Sequence, residues 1–156
     1  MENAERAPAA VLTNTKVRNI IQCFQCGKFR CLYSEKALTA MQKSQFQHII
    51  NDWDYSCGSP LVPEDHALYN ILFAREKISC ESPIELAYYS SRKNHIPVCY
   101  WCGYDQELVD IPTHMTSKYK FVFPLCNICQ TVGKDFFGRI EIKVNTRKRK
   151  RNSNNS

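Results

Sequence analysis

Apolar and polar positions along this chain fall into short runs broken by turn residues, and few runs are long enough for a helix. Residues 17–23 are apolar enough for a strand, and Lys28-Phe29-Arg30-Cys31-Leu32-Tyr33 alternates as a returning strand would. Ser34 is placed to cap a helix running to about Asn51, with Leu38, Met41, Phe46, Ile49 and Ile50 gathered on one half of it. Residues 52–58 read as a turn and a short strand, and residues 59–65, with Pro60 and Pro63, as a loop. Residues 67–77 fit helix and strand equally. Ser82-Pro83-Ile84-Glu85 has the form of a capping box and predicts a helix from Pro83 to about Arg92. Residues 106–117 read as a polar loop and residues 119–123 as a strand, while residues 130–137 fit one or two helical turns or an extended arm equally. Residues 139–144 alternate strictly and give the clearest strand. Residues 1–15 are small and polar, which predicts disorder.

These elements are too short to enclose a large core. The chain has 156 residues and 44% apolar content, enough for one domain or two very small ones. Units of that size usually need metal or disulfide staples. No stretch of about 18 apolar residues occurs, so no transmembrane helix is expected, and residues 1–13 do not read as a signal peptide. The net charge of +6 is concentrated in Arg147-Lys148-Arg149-Lys150-Arg151, so the body of the chain is close to neutral.

Nine cysteines in such a chain favour metal over disulfides. Six form Cys-x2-Cys pairs: Cys23/Cys26, Cys99/Cys102 and Cys126/Cys129. A Cys-x2-Cys segment folds into a tight knuckle that aims both sulfurs at one point, and two such pairs complete a tetrahedral thiolate site. The second and third pairs are separated by 23 residues and predict one zinc site. Cys23 and Cys26 need two more ligands, from Cys31, Cys57, Cys80, His48 and His66. A lone cysteine is otherwise a small buried hydrophobe.

The segment Gln22-Cys23-Phe24-Gln25-Cys26-Gly27-Lys28-Phe29-Arg30 resembles the opening of a CW-type zinc finger, Gln-Cys-x-x-Cys-x-Lys-Trp-Arg. Trp53-Asp54-Tyr55-Ser56-Cys57 is similar to the second CW element, and Cys80-Glu81-Ser82-Pro83-Ile84-Glu85 to the third. The resemblance implies Cys23, Cys26, Cys57 and Cys80 as zinc ligands. A set with Cys31 in place of Cys80 stays open. CW fingers bind lysine-methylated histone tails in a cage of tryptophans, but Ile21 and Phe29 stand here where two of those tryptophans would be. Phe29, Trp53 and Tyr55 are the candidate ligand-binding aromatics, set against the commoner role of such rings as the small core of a zinc module.

Cys99-Tyr100-Trp101-Cys102-Gly103, a strand and Cys126-Asn127-Ile128-Cys129 resemble a zinc ribbon or a treble clef, depending on whether residues after Asn127 are extended or helical. Four thiolates leave no open position on the metal, and no phosphate loop, His-Glu-x-x-His or Cys/His catalytic pair occurs, so no enzyme is expected. His48, His66, His95 and His114 read as surface residues.

The expected fold is a small zinc-stabilised α+β chain with a few short strands, two or three helices and two zinc ions. Its expected parts are a disordered segment 1–15, a CW-like module 16–92, a linker 93–97, a ribbon or treble-clef module 98–146 and a basic tail 147–156. The run 147–151 has the form of a nuclear localisation signal. The expected function is nuclear: chromatin association or DNA-linked regulation through a histone tail or nucleic acid, with a protein-interaction adaptor as the alternative and no membrane partner.

Overall fold

The computed structural model describes residues 5–91 and 95–142. The basic run 147–151, the end of the expected strand 139–144 and part of the expected linker lie outside those residues.

Among the described residues there are two antiparallel sheets and four α-helices, and most of the elements are short. β1 (Val17–Gln22) pairs with β2 (Phe29–Tyr33), and β2 pairs with β3 (Phe73–Ala74), which falls in the stretch whose pattern fitted helix and strand equally. α1 (Ala40–Asp52) starts later than its sequence suggests. Its cap is Thr39, whose hydroxyl accepts from the Gln42 amide at 3.1 Å while the Gln42 side chain accepts from the Thr39 amide at 2.9 Å. Ser34 is buried instead, and its amide donates to the Lys16 carbonyl at 3.0 Å, extending the β1–β2 pairing. Only Phe46 and Ile49 of α1 enter the core. Met41 stays exposed, so the apolar face is narrower than its residue types imply.

The capping box before α2 (Leu86–Ser90) is a second correction. The helix begins three residues after Pro83 because Glu85 does not cap it. Its carboxylate turns inward, accepting from the Tyr33 hydroxyl at 2.6 Å and the Cys31 amide at 3.0 Å. The pairing of a buried carboxylate with β2 wins over the local signal, since an unpaired Cys31 amide would be costly in the core.

Residues 5–15 are not disordered. Ala7 and Val11 are buried in one cluster with Val17, Cys31, Tyr33, Phe73, Ile84, Tyr88 and Val98. Arg6 lies 3.8 Å over the Tyr69 ring and donates to the Tyr69 carbonyl at 2.9 Å, and the Glu5 carboxylate accepts from the amides of Glu76 and Lys77. The same cluster crosses the expected module boundary. Val98 packs with Ile84 and Tyr88, His95 stacks on Tyr88 at 4.7 Å, and the Tyr88 hydroxyl donates to the Ile96 carbonyl at 2.7 Å. The two halves therefore share a core.

In the second half, α3 (Thr113–Lys118) occupies part of the stretch expected as a polar loop, α4 (Asn127–Thr131) begins inside the third cysteine pair, and β4 (Tyr119–Val122) pairs with β5 (Gly138–Glu141). β5 takes up the start of the alternating run 139–144, and within it Ile140 has a φ of 59°, which is left-handed and unusual for a β-branched residue. No helix among the described residues is long and apolar enough to cross a membrane.

Candidate metal centres

The first centre is built from three parts of the chain. The β1–β2 turn supplies Cys23 and Cys26, the loop after α1 supplies Cys57, and the segment before α2 supplies Cys80. Their sulfurs all lie within 4.8 Å of one another. The Cys23 and Cys80 sulfurs are 3.6 Å apart, and those of Cys26 and Cys57 are 3.7 Å apart. A tetrahedral thiolate site with metal–sulfur bonds near 2.3 Å has edges of about 3.8 Å, so the spacing fits a single ion. None of the nine cysteines is in a disulfide.

Cys31 is not in the group. It lies fully buried in the cluster of Val17 and Tyr33, where burial and the Glu85 charge push its thiol far above the usual range. The alternative left open by the sequence, Cys31 in place of Cys80, is not the arrangement found. His48 and His66 are outside the group as well, and the His66 ring meets Trp53 edge-on at 5.5 Å.

The second centre gathers Cys99, Cys102, Cys126 and Cys129 to the same tolerance, with the Cys102 and Cys126 sulfurs 3.6 Å apart. Its first knuckle repeats the geometry of the first centre. The Gly27 amide donates to the Cys23 carbonyl at 2.9 Å, as Gly103 does to Cys99 at 2.8 Å, and the two glycines take φ values of 81° and 82°. A side chain would be strained in that conformation, which explains Cys-x2-Cys-Gly at both places. The other pair differs. Cys126 caps α4, its sulfur accepting from the Cys129 amide at 3.4 Å, so the residues after Asn127 are helical.

Amide donors make one thiol of each centre the more acidic. Burial raises the Cys23 pKa, but the amides of Cys26, Cys57 and Gln25 outweigh it and hold the thiol at about 6. Cys99 is likewise lowered against its burial by the amides of Cys102, Cys126 and Trp101. Cys57 is pushed by burial up to about 12, although the Arg30 side chain pulls it down.

The cations Lys28 and Arg30 were not singled out by sequence reasoning. Arg30 is fully buried, and its Nε donates to the Cys57 sulfur at 3.1 Å. Its other nitrogens donate to the carbonyls of Pro83 at 2.6 Å, Ser82 at 2.9 Å and Ser79 at 3.1 Å. Lys28 Nζ donates to the carbonyls of Cys80 at 2.6 Å and Ser82 at 2.9 Å. Four thiolates around a divalent ion leave two negative charges, and these two buried cations offset them while fixing the loop that carries Cys80. Alternation on β2 gave the signal, since it turns Arg30 inward beside Leu32.

No protein-family model, curated protein or solved structure matches the chain.

The candidate aromatics do not form one cage. Trp53, 42% exposed, and Tyr55 line a cavity of 280 Å3 with Phe24, Ile50 and Asp54. Phe29 is elsewhere, its ring 6.4 Å from Tyr88, lining a different cavity beside Gly103.

Proposed function

We propose that the chain is a nuclear, non-enzymatic two-zinc protein that acts by binding, in chromatin association or DNA-linked regulation. The observation that carries this reading is the pair of four-cysteine groups. A tetrahedral all-thiolate set selects zinc or iron–sulfur chemistry, and full coordination by protein leaves no position for water or substrate. Zinc would be held by Cys23, Cys26, Cys57 and Cys80 and by Cys99, Cys102, Cys126 and Cys129, organising the fold. Three CW-like segments meeting at one centre support a CW-like first module. The helix at Cys126 supports a treble-clef-like second one.

Two surfaces suit the binding role. The cavity of Phe24, Trp53 and Tyr55 with Asp54 suits a cationic side chain of a histone tail, because ring faces and a carboxylate both attract cations. The run 147–151 suits nucleic acid and nuclear import. The exposed apolar group of Phe24, Ile50 and Trp53 also favours a second reading, a protein-interaction adaptor with purely structural zinc. Metal analysis of the purified protein should find two zinc ions per chain, and iron or a single ion would overturn the zinc assignment. Pull-downs on histone peptides and DNA at two salt concentrations should retain the protein. Failure on both, with capture by another protein, would leave the adaptor reading.

A further inference from the structure

We infer that the cleft between the two glycine-bearing knuckles is a binding site for an arginine side chain of a partner peptide. The inference rests on the two-zinc reading above and gives its peptide-binding arm a contact apart from the cavity of Phe24 and Trp53.

The cleft has a volume of 470 Å3. Its walls carry Phe29, Ile96, Tyr104 and Asp105 together with Cys26 and Cys102, one cysteine from each centre. Among the described residues no cation lines it. Ile96 is 53% exposed and Tyr104 38% exposed, so an aliphatic surface and a ring are open to solvent beside a carboxylate. Asp105 forms no ion pair among the described residues. Burial raises the Tyr88 hydroxyl and the Asp105 charge adds to it, which sets that carboxylate within electrostatic reach of the Tyr88 bond to Ile96. The second knuckle packs closely on the first, since a side-chain carbon added at Gly103 would stand 3.1 Å from Lys28 Cγ. The cleft is thus a fixed gap between two tight turns.

The two centres differ in what balances their charge. Four thiolates around a divalent ion leave two negative charges at each. Lys28 and Arg30 offset them at the first centre, where Arg30 Nε donates to the Cys57 sulfur at 3.1 Å. Among the described residues, no cationic side chain donates to a sulfur of the second centre. The Lys134 amide donates to the Cys129 carbonyl at 2.9 Å, but its ammonium lies over the Trp101 ring at 4.8 Å. Cys102 is the one cysteine of the second centre that is not buried, and it opens on the cleft. A guanidinium seated there finds the kind of acceptor that Arg30 finds at the first centre, with a carboxylate and a ring in addition. Its planar fork can pair with Asp105 and stack on Tyr104 while its stem covers Ile96. An ammonium has neither plane nor fork. A phosphate or an acidic peptide would meet Asp105 and an uncompensated centre, so the cleft repels polyanions.

The test uses the full chain loaded with two zinc ions and isotopically labelled, and short Gly/Ser peptides carrying a single arginine, citrulline or lysine. The arginine peptide should shift the amide resonances of Gly103, Tyr104 and Asp105 and leave those of Phe24 and Asp54 in place. Citrulline keeps the shape and loses the charge, and its peptide should bind about tenfold more weakly, as should the arginine peptide to Asp105→Asn. Tyr104→Ala should weaken binding about threefold, while Tyr104→Phe keeps it. The lysine peptide should bind more weakly than the arginine peptide. By linkage, the arginine peptide should also raise the chelator concentration needed to remove zinc. Unchanged metal content and circular dichroism show that each variant is folded. The inference is overturned if citrulline or lysine binds as tightly as arginine, if Asp105→Asn binds as the parent does, or if the loaded chain shows no shift at the cleft. Shifts at Phe24 and Asp54 alone overturn the inference but leave the other cavity as the peptide site. A chain that does not hold two zinc ions overturns the two-zinc reading itself, and the inference with it.

Discussion

The Ile84 amide donates to the Tyr100 carbonyl at 2.8 Å, tying the segment that follows Cys80 to the knuckle between Cys99 and Cys102. Ile84 is buried in the shared core, and residues 79–83 on its other side accept from Arg30 and Lys28. Each metal centre thus fixes the backbone on which the other depends. Metal release by increasing chelator should be a single cooperative step, and Cys102→Ser should weaken binding at the first centre too. Two separate steps, with the first centre unaffected by Cys102→Ser, would show that the centres are independent. Excess chelator should also unfold the chain, since structural zinc contributes about 10–16 kcal/mol of apparent binding energy in small domains.

The composition of the first centre gives a sharper test. Cys57→Ser and Cys80→Ser should each cost one metal ion, while Cys31→Ala should retain both, because the Cys31 sulfur lies in the apolar core away from the other four. Mass spectrometry under native conditions reads the count directly. Loss of metal from Cys31→Ala with retention in Cys80→Ser would reverse the ligand set.

The local pieces of these centres were legible in the sequence, and the long-range ones were only partly so. A Cys-x2-Cys-Gly knuckle is specified by five residues, so both glycine-bearing knuckles could be read directly. Cys57 and Cys80 join Cys23 and Cys26 across more than thirty and fifty residues, where spacing carries no geometric information, and only the resemblance to CW fingers singled them out. Tertiary demand overrode local propensity elsewhere. Glu85 looked like the third residue of a capping box, but it bonds Tyr33 and Cys31. Residues 5–15 look disordered by composition, yet Arg6 and Glu5 find partners about seventy residues away. Such pairings leave no trace in a short window of sequence.

Arg30 should matter as much as a ligand. Arg30→Met removes the donor to Cys57 and leaves the carbonyls of Ser79, Ser82 and Pro83 without it in a buried setting. Affinity at the first centre should fall by about 10–100-fold, the usual effect of losing an outer-shell partner. Unfolding free energy should fall by about 3–5 kcal/mol. Arg30→Lys should not rescue, since one ammonium cannot reach a sulfur and three carbonyls together. Wild-type affinity in Arg30→Met, measured by competition with a chromogenic chelator, would refute this role.

Glu85 introduces a pH dependence. Burial pushes its carboxyl above the ordinary range, against the pull of the Tyr33 and Cys31 hydrogen bonds and of Arg30 and Arg75. A raised folded-state pKa means that the folded chain holds a proton that the unfolded chain releases. The contribution is full below the unfolded value of about 4.3 and is lost as pH rises through the folded value. Glu85→Gln does not titrate, so over that window its urea midpoints should fall less with rising pH than those of the parent. Parallel profiles would mean that Glu85 titrates alike in both states.

The basic tail separates charge from fold. Residues 147–151 carry five of the positive charges in a chain whose net charge is +6, so a chain truncated at 146 is close to neutral. Truncation should abolish nuclear accumulation and most duplex affinity, with the salt slope falling by up to about five units if every cation in the run meets a phosphate. Both metal ions should stay bound, because all eight clustered cysteines lie at or before Cys129. Truncated protein with undiminished duplex affinity would place recognition on a folded surface.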